Sequence, residues 1–320
     1  MGYSIGKVFE PIEKTVQSFA DVDSFSMPTY GYSLKSLLHN ILAARKKISS
    51  NNYDIIHITG QEHYLIPFLP KDRLVVTVHD LGFSKFSRGI SGKIKHYLFI
   101  DTLNKVEYLT CISEKTRAEI SRICGIEENR ILVIQNCVNP NFQFRSKELN
   151  KSCPTILQIG LMDNKNIENI LSAIKGFNCK LRIIAPKKDF RSSIFKNSGI
   201  NYSLASDLSD AEILEEYEKC DIVSLPSLYE GFGMPIIEGQ AIGRAVVTSN
   251  ISPMKEVAGD GAVLVDPTDV ESIRNGYLEA INNNQKYIQR GLENVKRFDV
   301  SKIAEQYFDL YQTIYKSNHS

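Results

Sequence analysis

Short runs rich in β-branched residues alternate along this chain with longer stretches of helical period, and the whole pattern occurs twice. In the first half DIIHIT (54–59), LVVTV (74–78), YLTCI (108–112) and ILVI (131–134) read as strands, with a weaker one at DVDSFS (21–26). Helices are expected between them near 5–18, 33–49, 91–104 and 114–122. The second half carries strands near 155–159, 181–185, 221–225, 245–248 and 262–265. Its helices fall near 166–176, 210–219, 235–242, 269–281 and 284–297, with a last one at 301–316. Strands that are apolar almost throughout cannot leave one face in water, so they belong to parallel sheets covered on both faces by helices. A chain of 320 residues is long for one core and comfortable for two of about 150 each. The expected fold is therefore α/β, with two doubly wound Rossmann-like domains facing a cleft, over 1–145 and 150–300. The join is expected in the polar, aperiodic stretch NPNFQFRSKELNKSC (139–153). Ligands of such sheets bind beyond the carboxyl ends of the strands, which suits a two-substrate reaction.

Composition closes off several other classes. A net charge of +1 argues against a nucleic-acid partner held by bulk electrostatics. The cysteines at 111, 124, 137, 153, 179 and 220 form no CxxC pair and no zinc-ligand spacing, so they read as reduced, mostly buried thiols. Asp21-Val22-Asp23 is a DxD triplet without the context of a metal site. The N-terminus MGYSIGKVFEPIEKTV lacks an apolar core of signal-peptide length, and no run approaches the ~20 apolar residues of a membrane span. A cytoplasmic protein is expected, with contact at the inner face of the membrane left open.

The stretch SLPSLYEGFGMPIIEGQ (224–240) carries the most chemistry. A strand ends at Leu225, a glycine-punctuated loop follows, and Pro235 stands where a helix begins, a position at which its missing N–H costs nothing. Gly231 and Gly233 let the backbone approach a ligand closely. The N–H groups and dipole of a helix start form an anion site that fits a diphosphate. Glu230 and Glu238 bracket the loop, with Glu238 one turn into the helix on the face of its mouth. Carboxylates beside a diphosphate need hydroxyl donors, which ribose and sugar supply. Taken alone, two glutamates at this spacing read as a solvated loop charge and a complement to the helix dipole.

The surrounding residues change that reading. PSLYEGFGMPIIEGQAIGRAVVTSNISPMKEVAGDGAVLVDP (226–267) resembles the signature block of retaining glycosyltransferase family 4, of the group 1 type and GT-B fold. ILQIGLMDNKNIENILSAI (156–174) is similar to that family's opening strand and Lys-Asn turn, and TVHDLGF, CISEKTRAEI and VIQNCVNPNF extend the likeness through the first half. The resemblance implies transfer of a hexosyl group from a nucleotide-sugar donor to a glycan or polyprenyl-linked glycan acceptor, with retention, in cell-surface polysaccharide biosynthesis. It implies no metal and no cofactor. By the same resemblance Glu238 holds the ribose hydroxyls and Glu230 the sugar hydroxyls. Gly160, Gly231 and Pro235 belong to the donor site, and the backbone of Phe232, Gly233 and Met234 meets sugar and diphosphate. Lys165 neutralises the departing diphosphate, and His79 contacts the sugar near the reacting carbon.

The departures from the family pattern matter too. Leu161 stands where members often carry a second, arginine clamp, leaving Lys165 to act alone or with Arg182 or Lys187. Ala185-Pro186 and Cys137 replace glycines. The family's opening strand is absent, because only Met1-Gly2-Tyr3 precede the first helix. The expectation is that the natural chain starts upstream or has lost that strand. A catalytically weak donor-binding partner of an active transferase is the alternative reading. The terminal helix, with Ile303, Tyr307, Leu310 and Ile314 at helical spacing, is expected to return to the first domain over 306–320. Lys85, Arg88, Lys93 and Lys95, interleaved with apolar residues in FSKFSRGISGKIKHYLF (83–99), suit an anionic membrane surface.

Overall fold

In the computed structural model, which describes residues 5–31, 33–81, 90–196 and 198–319, the chain divides into two units. One comprises Ile5–Gln135 with Ser301–Ser320; the other is built on Asn136–Val300.

The first unit holds helices α1 (Ile5–Val16), α2 (Leu34–Ser49), α3 (Ile90–Phe99) and α4 (Glu114–Cys124), with strands β1 (Ile56–Ile58), β2 (Leu74–Val78), β3 (Tyr108–Cys111) and β4 (Ile131–Val133). The strands lie in the order β1-β2-β3-β4, all parallel. The run of β2, apolar except for Thr77, is buried at every position, as a strand covered on both faces must be. α4 starts on the Ser113 side chain, which accepts the Thr116 N–H, and stops at Gly125 in the left-handed region. The expected helix at 91–104 ends at Phe99 and continues as a 3-10 turn, Asp101–Lys105. Residues 82–89 of the cationic stretch, with Lys85 and Arg88, lie outside the described residues.

The strand expected at 21–26 does not form; those residues run as exposed or half-exposed irregular chain. With only Val22 and Phe25 apolar, the segment has too little surface to bury. Asp23 of the DxD triplet accepts from the Tyr53 hydroxyl and pairs with Lys47 at 2.7 Å.

Helix α12 (Val300–His319) packs on this first sheet from Ser301 onward and buries Ile303, Tyr307 and Ile314. A polar track beneath the sheet ties it down. His57 on β1 bonds through Nδ1 to the Tyr311 hydroxyl (2.7 Å) and through Nε2 to Thr77 Oγ1 (2.8 Å). Thr77 in turn meets Thr110 Oγ1 at 2.6 Å and the Tyr307 hydroxyl at 3.3 Å. Burial pushes the His57 pKa down to about 3, so the imidazole is neutral, one nitrogen donating and the other accepting.

The second unit contains β5 (Thr155–Ile159), α5 (Ile167–Ile174), β6 (Lys180–Ile184), α6 (Ser192–Phe195), β7 (Tyr202–Ala205), α7 (Asp210–Lys219) and β8 (Ile222–Leu225). It continues with α8 (Met234–Ile242), β9 (Ala245–Ser249), α9 (Met254–Ala258), β10 (Val263–Val265), α10 (Val270–Asn282) and α11 (Asn284–Asn294). Its parallel sheet runs β10-β9-β8-β5-β6-β7. From β5 the chain first builds outward through β6 and β7, then crosses back to lay β8 on the other side of β5. The topological switch point is therefore the crevice between β5 and β8. β7 has no counterpart among the expected strands: it is a half-exposed edge strand without an apolar run.

The polar stretch 139–153 lies within this second unit, and the boundary falls before it, between Gln135 and Asn136. Several of its residues are tied down there. Lys147 pairs with Asp221, Arg145 donates its N–H to the Ile242 carbonyl, and the Phe142 ring meets Tyr217 edge-on at 5.2 Å. Buried Arg244 closes the same region. Its guanidinium donates to the carbonyls of Glu218 and Cys220 at the end of α7, of Ile242 and Gly243 at the end of α8, and of Arg145.

Candidate active site

Two loops meet at the switch point of the second unit. The first leaves β5 through Gly160, whose φ of +89° favours glycine. A Cβ there would lie 3.0 Å from Lys165 Cε, so the lysine stem rests across the space a side chain would fill. Lys165 ends the 3-10 turn Asp163–Lys165, and Asn166 follows with φ +59°. The Asn166 amide donates to the carbonyls of Pro226 (2.9 Å) and Pro267 (2.7 Å), stitching this turn to the loops after β8 and β10. Leu228 N–H donates to the Asn164 carbonyl, and the Asn164 amide donates to the Tyr229 carbonyl, each at 2.8 Å.

This stitching brings Lys165 Nζ within 2.6 Å of Glu230 Oε1, with side chains only 12% and 13% exposed. An ion pair so shielded is screened far less than one on the surface.

The second loop ends at Gly233, the N-cap of α8, with φ +102°. A Cβ there would come within 2.9 Å of Ile236 Cδ1. Pro235 occupies the first turn, which holds no acidic residue. The helix start thus keeps its positive end for an anion. Phe232 is buried and meets Phe298 edge-on at 5.8 Å, so its side chain buttresses the loop while its backbone shapes it.

Two sequence comparisons cover nearly the whole chain. The family described as "Glycosyl transferases group 1" matches residues 140–297, and that described as "Glycosyltransferase Family 4" matches residues 9–142. The chain belongs to the group 1 glycosyltransferases. It is similar to the O-antigen chain mannosyltransferase B of Escherichia coli, 24% identical over 275 residues that cover 76% of this chain and 71% of the relative. It is 25% identical over 281 residues to the O-antigen chain mannosyltransferase RfbU of Salmonella typhimurium, covering 82% and 77%. Among solved structures, Anabaena Alr3699/HepE in complex with UDP and glucose aligns with a TM-score of 0.72 at 17% identity, over 96% of this chain and 94% of that one. The two parallel α/β sheets of this glycosyltransferase are those of the GT-B fold.

The other residues singled out in the sequence are held as follows. Glu238 of the glycosyltransferase is 1% exposed, one turn into α8, where its Oε2 accepts from the Tyr217 hydroxyl of α7. Its carboxylate is thus buried and held by a hydroxyl of a neighbouring helix. Arg182 is not available to a phosphate: Nε and Nη2 hold both carboxylate oxygens of Glu216, at 2.8 and 2.5 Å. Lys187 is exposed in the turn after β6, at the same carboxyl edge of the sheet as Lys165. Leu161, at the family's arginine position, is part of the core.

His79 belongs to the first unit, just past the end of β2. Its Nε2–H donates to the Thr59 carbonyl at 2.9 Å, which leaves Nδ1 as the acceptor nitrogen. Burial lowers its pKa, so it is neutral. Among the described residues no three His, Cys, Asp or Glu side chains come together as a metal site. No helix of those residues is long and apolar enough to cross a membrane.

Sequence reasoning missed Tyr217 and the stitching role of Asn166. An aromatic at helical spacing reads as core packing, and nothing in the sequence reveals that its hydroxyl meets a glutamate on another helix. Asn in a Lys-Asn turn did carry a signal, since asparagine tolerates positive φ.

Proposed function

We propose that this glycosyltransferase moves a hexosyl group from a nucleotide-sugar donor to a glycan or lipid-linked glycan acceptor, with retention of configuration and without a metal ion, in the synthesis of a cell-surface polysaccharide. The observation that carries the reading is the shielded Lys165–Glu230 pair at the switch point, next to the N-terminus of α8. A diphosphate at that crevice takes Lys165 as counter-ion and the first N–H groups of α8 as donors. The carboxylate released by Lys165 then accepts from sugar hydroxyls. Charge that develops on the departing diphosphate is met by groups already in position, which is the commonest source of large rate effects. Retention follows if the acceptor hydroxyl attacks from the side the diphosphate leaves, its proton passing to the leaving phosphate oxygen. Glu230 is then a positioning group and not a covalent nucleophile.

Glu238 holds the ribose hydroxyls, and neutral His79 is a hydrogen-bonding contact for the sugar. The relatives named above act as mannosyltransferases, which supports mannose among the hexoses and supports catalysis over a binding-subunit role. UDP and glucose in the structural relative support a nucleotide-sugar ligand.

A thermal-shift screen across nucleotide sugars tests the proposal, because ligand at a hundredfold over Kd adds about 2.7 kcal/mol of stability. Donors that shift the melting point should also be hydrolysed slowly to nucleoside diphosphate without acceptor. If no nucleotide sugar raises the melting point and none releases diphosphate, the reading is wrong.

A further inference from the structure

We propose that the outer face of α2 is a docking surface for an anionic lipid bilayer. One side of this helix is committed to the core through Leu37, Asn40 and Ala44, with Ile41 and Ile48 packed alongside. The other side carries Leu34, Leu38 and Leu42, which are 78%, 59% and 57% exposed. Spaced four residues apart, they form a continuous stripe along one edge of the helix. Tyr30, 95% exposed, stands just before the helix begins.

Scattered exposed leucines are ordinary, but three in a row on a helix whose other side is already buried call for a cover. The charges around the stripe indicate which cover. Lys35, His39, Arg45 and Lys46 are all exposed and border the leucines. The sequence from Ser24 to Tyr53 contains no Asp or Glu. A helix of 16 residues, about 24 Å long, thus presents an apolar line edged with cations and free of anions. That combination suits the headgroup–acyl boundary of an anionic leaflet, which takes up apolar side chains and attracts each nearby basic residue. A second copy of the chain fits poorly. A two-fold contact through this face would set Lys35, Arg45 and Lys46 against like charges, with no acid within the segment to receive them.

Co-sedimentation with phosphatidylcholine–phosphatidylglycerol vesicles, and with phosphatidylcholine alone, tests this on the full chain. The chain has no tryptophan, so Leu38→Trp also supplies a single fluorophore whose emission should move to the blue only with the anionic vesicles. Binding should weaken with salt. Leu38→Asn/Leu42→Asn should abolish it. Lys35→Ala/Arg45→Ala/Lys46→Ala should weaken it about 100-fold, at roughly fivefold per basic residue. Every substituted side chain is exposed, and donor hydrolysis and the melting point should stay as in the wild type.

Three results would overturn the proposal. The wild type could ignore anionic vesicles. Both α2 variants could still bind while Lys93→Glu/Lys95→Glu does not, which would move the contact to α3. Or gel filtration could show a dimer that Leu38→Asn/Leu42→Asn dissociates, with no vesicle binding at all.

Discussion

Replacing Arg244 by methionine removes a buried guanidinium that terminates two helices at once. Its five acceptors are the carbonyls of Glu218, Cys220, Ile242, Gly243 and Arg145. Helix ends leave their last carbonyls without partners inside the helix, so these are the groups most in need of an outside donor. Ile242 keeps the Arg145 N–H, and the bonds to Glu218 and Arg145 are only partly buried, which leaves the buried carbonyls of Cys220 and Gly243 to be stranded. At about 1–3 kcal/mol for each buried group, the gross loss is roughly 2–6 kcal/mol. The interaction of a cation with two helix C-termini is lost as well. Against this stands the removal of a buried charge, whose desolvation, already visible as a lowered Arg244 pKa, costs several kcal/mol. The balance is a destabilisation of about 3 kcal/mol. For a unit of this size it corresponds to about 6–12 °C in Tm. Calorimetry should show the loss, and hydrogen exchange should localise it to 144–146, 217–221 and 240–244. Arg244→Lys, with charge but fewer donors, should fall between. An Arg244→Met protein within about 1 kcal/mol of wild type would refute the accounting, because a change that small is typical of surface positions.

Lys165→Ala should lower kcat more than donor affinity, since its charge matters most as the diphosphate departs; a raised KM with unchanged kcat would remove it from the leaving-group role. Glu238→Gln should weaken donor binding by roughly 1.5–3 kcal/mol by titration, the worth of a hydrogen bond to a charged group. Unaltered affinity would mean that Glu238 is structural. His57 and His63 have native pKa values pushed down to about 3 and about 4 by burial, against 6.5 when unfolded. Below pH 6.5 the unfolded chain therefore binds protons that the folded one refuses. The first unit should lose stability as pH falls from about 6.5 towards 4, by about 2 kcal/mol per histidine at pH 5. Urea unfolding from pH 7.5 to 5 checks this, and a flat profile would contradict neutral buried imidazoles.

What the sequence made legible divides along physical lines. Buried parallel strands such as LVVTV and TILQI are mostly apolar, and that pattern alone locates them. β7 escaped because an edge strand has a solvated side and needs no apolar run. DVDSFS misled in the opposite direction, since alternation with only Val22 and Phe25 apolar leaves too little surface to bury, and the segment remains irregular chain. The stretch 139–153 looked like a linker because it is polar, yet Lys147 finds Asp221, which lies far along the chain. Arg182 looked available because its partner Glu216 is not adjacent in sequence. At the site, Gly160, Lys165 and the 230–238 block were readable from local chemistry together with the family resemblance. Their convergence was not. Lys165 and Glu230 are 65 residues apart, and only the strand order β8-β5 brings their loops together.

That convergence explains why the pair forms within the protein's own fold. A lysine and a glutamate that are both largely shielded would each be costly alone, so pairing is the least expensive resting state for a site that must later hold charge. Under the proposed function the arrangement also couples the two ends of a donor. A diphosphate draws Lys165 from Glu230 and leaves the carboxylate short of a donor, a debt that only the sugar hydroxyls settle. A free sugar, conversely, cannot easily displace the lysine, because a neutral hydroxyl competes poorly with a cation for a shielded carboxylate. Binding of the intact nucleotide sugar then satisfies both groups in one step. Once the glycosyl bond breaks the diphosphate carries more negative charge, so Lys165 holds it until the product leaves the crevice, and only then does the lysine return to Glu230.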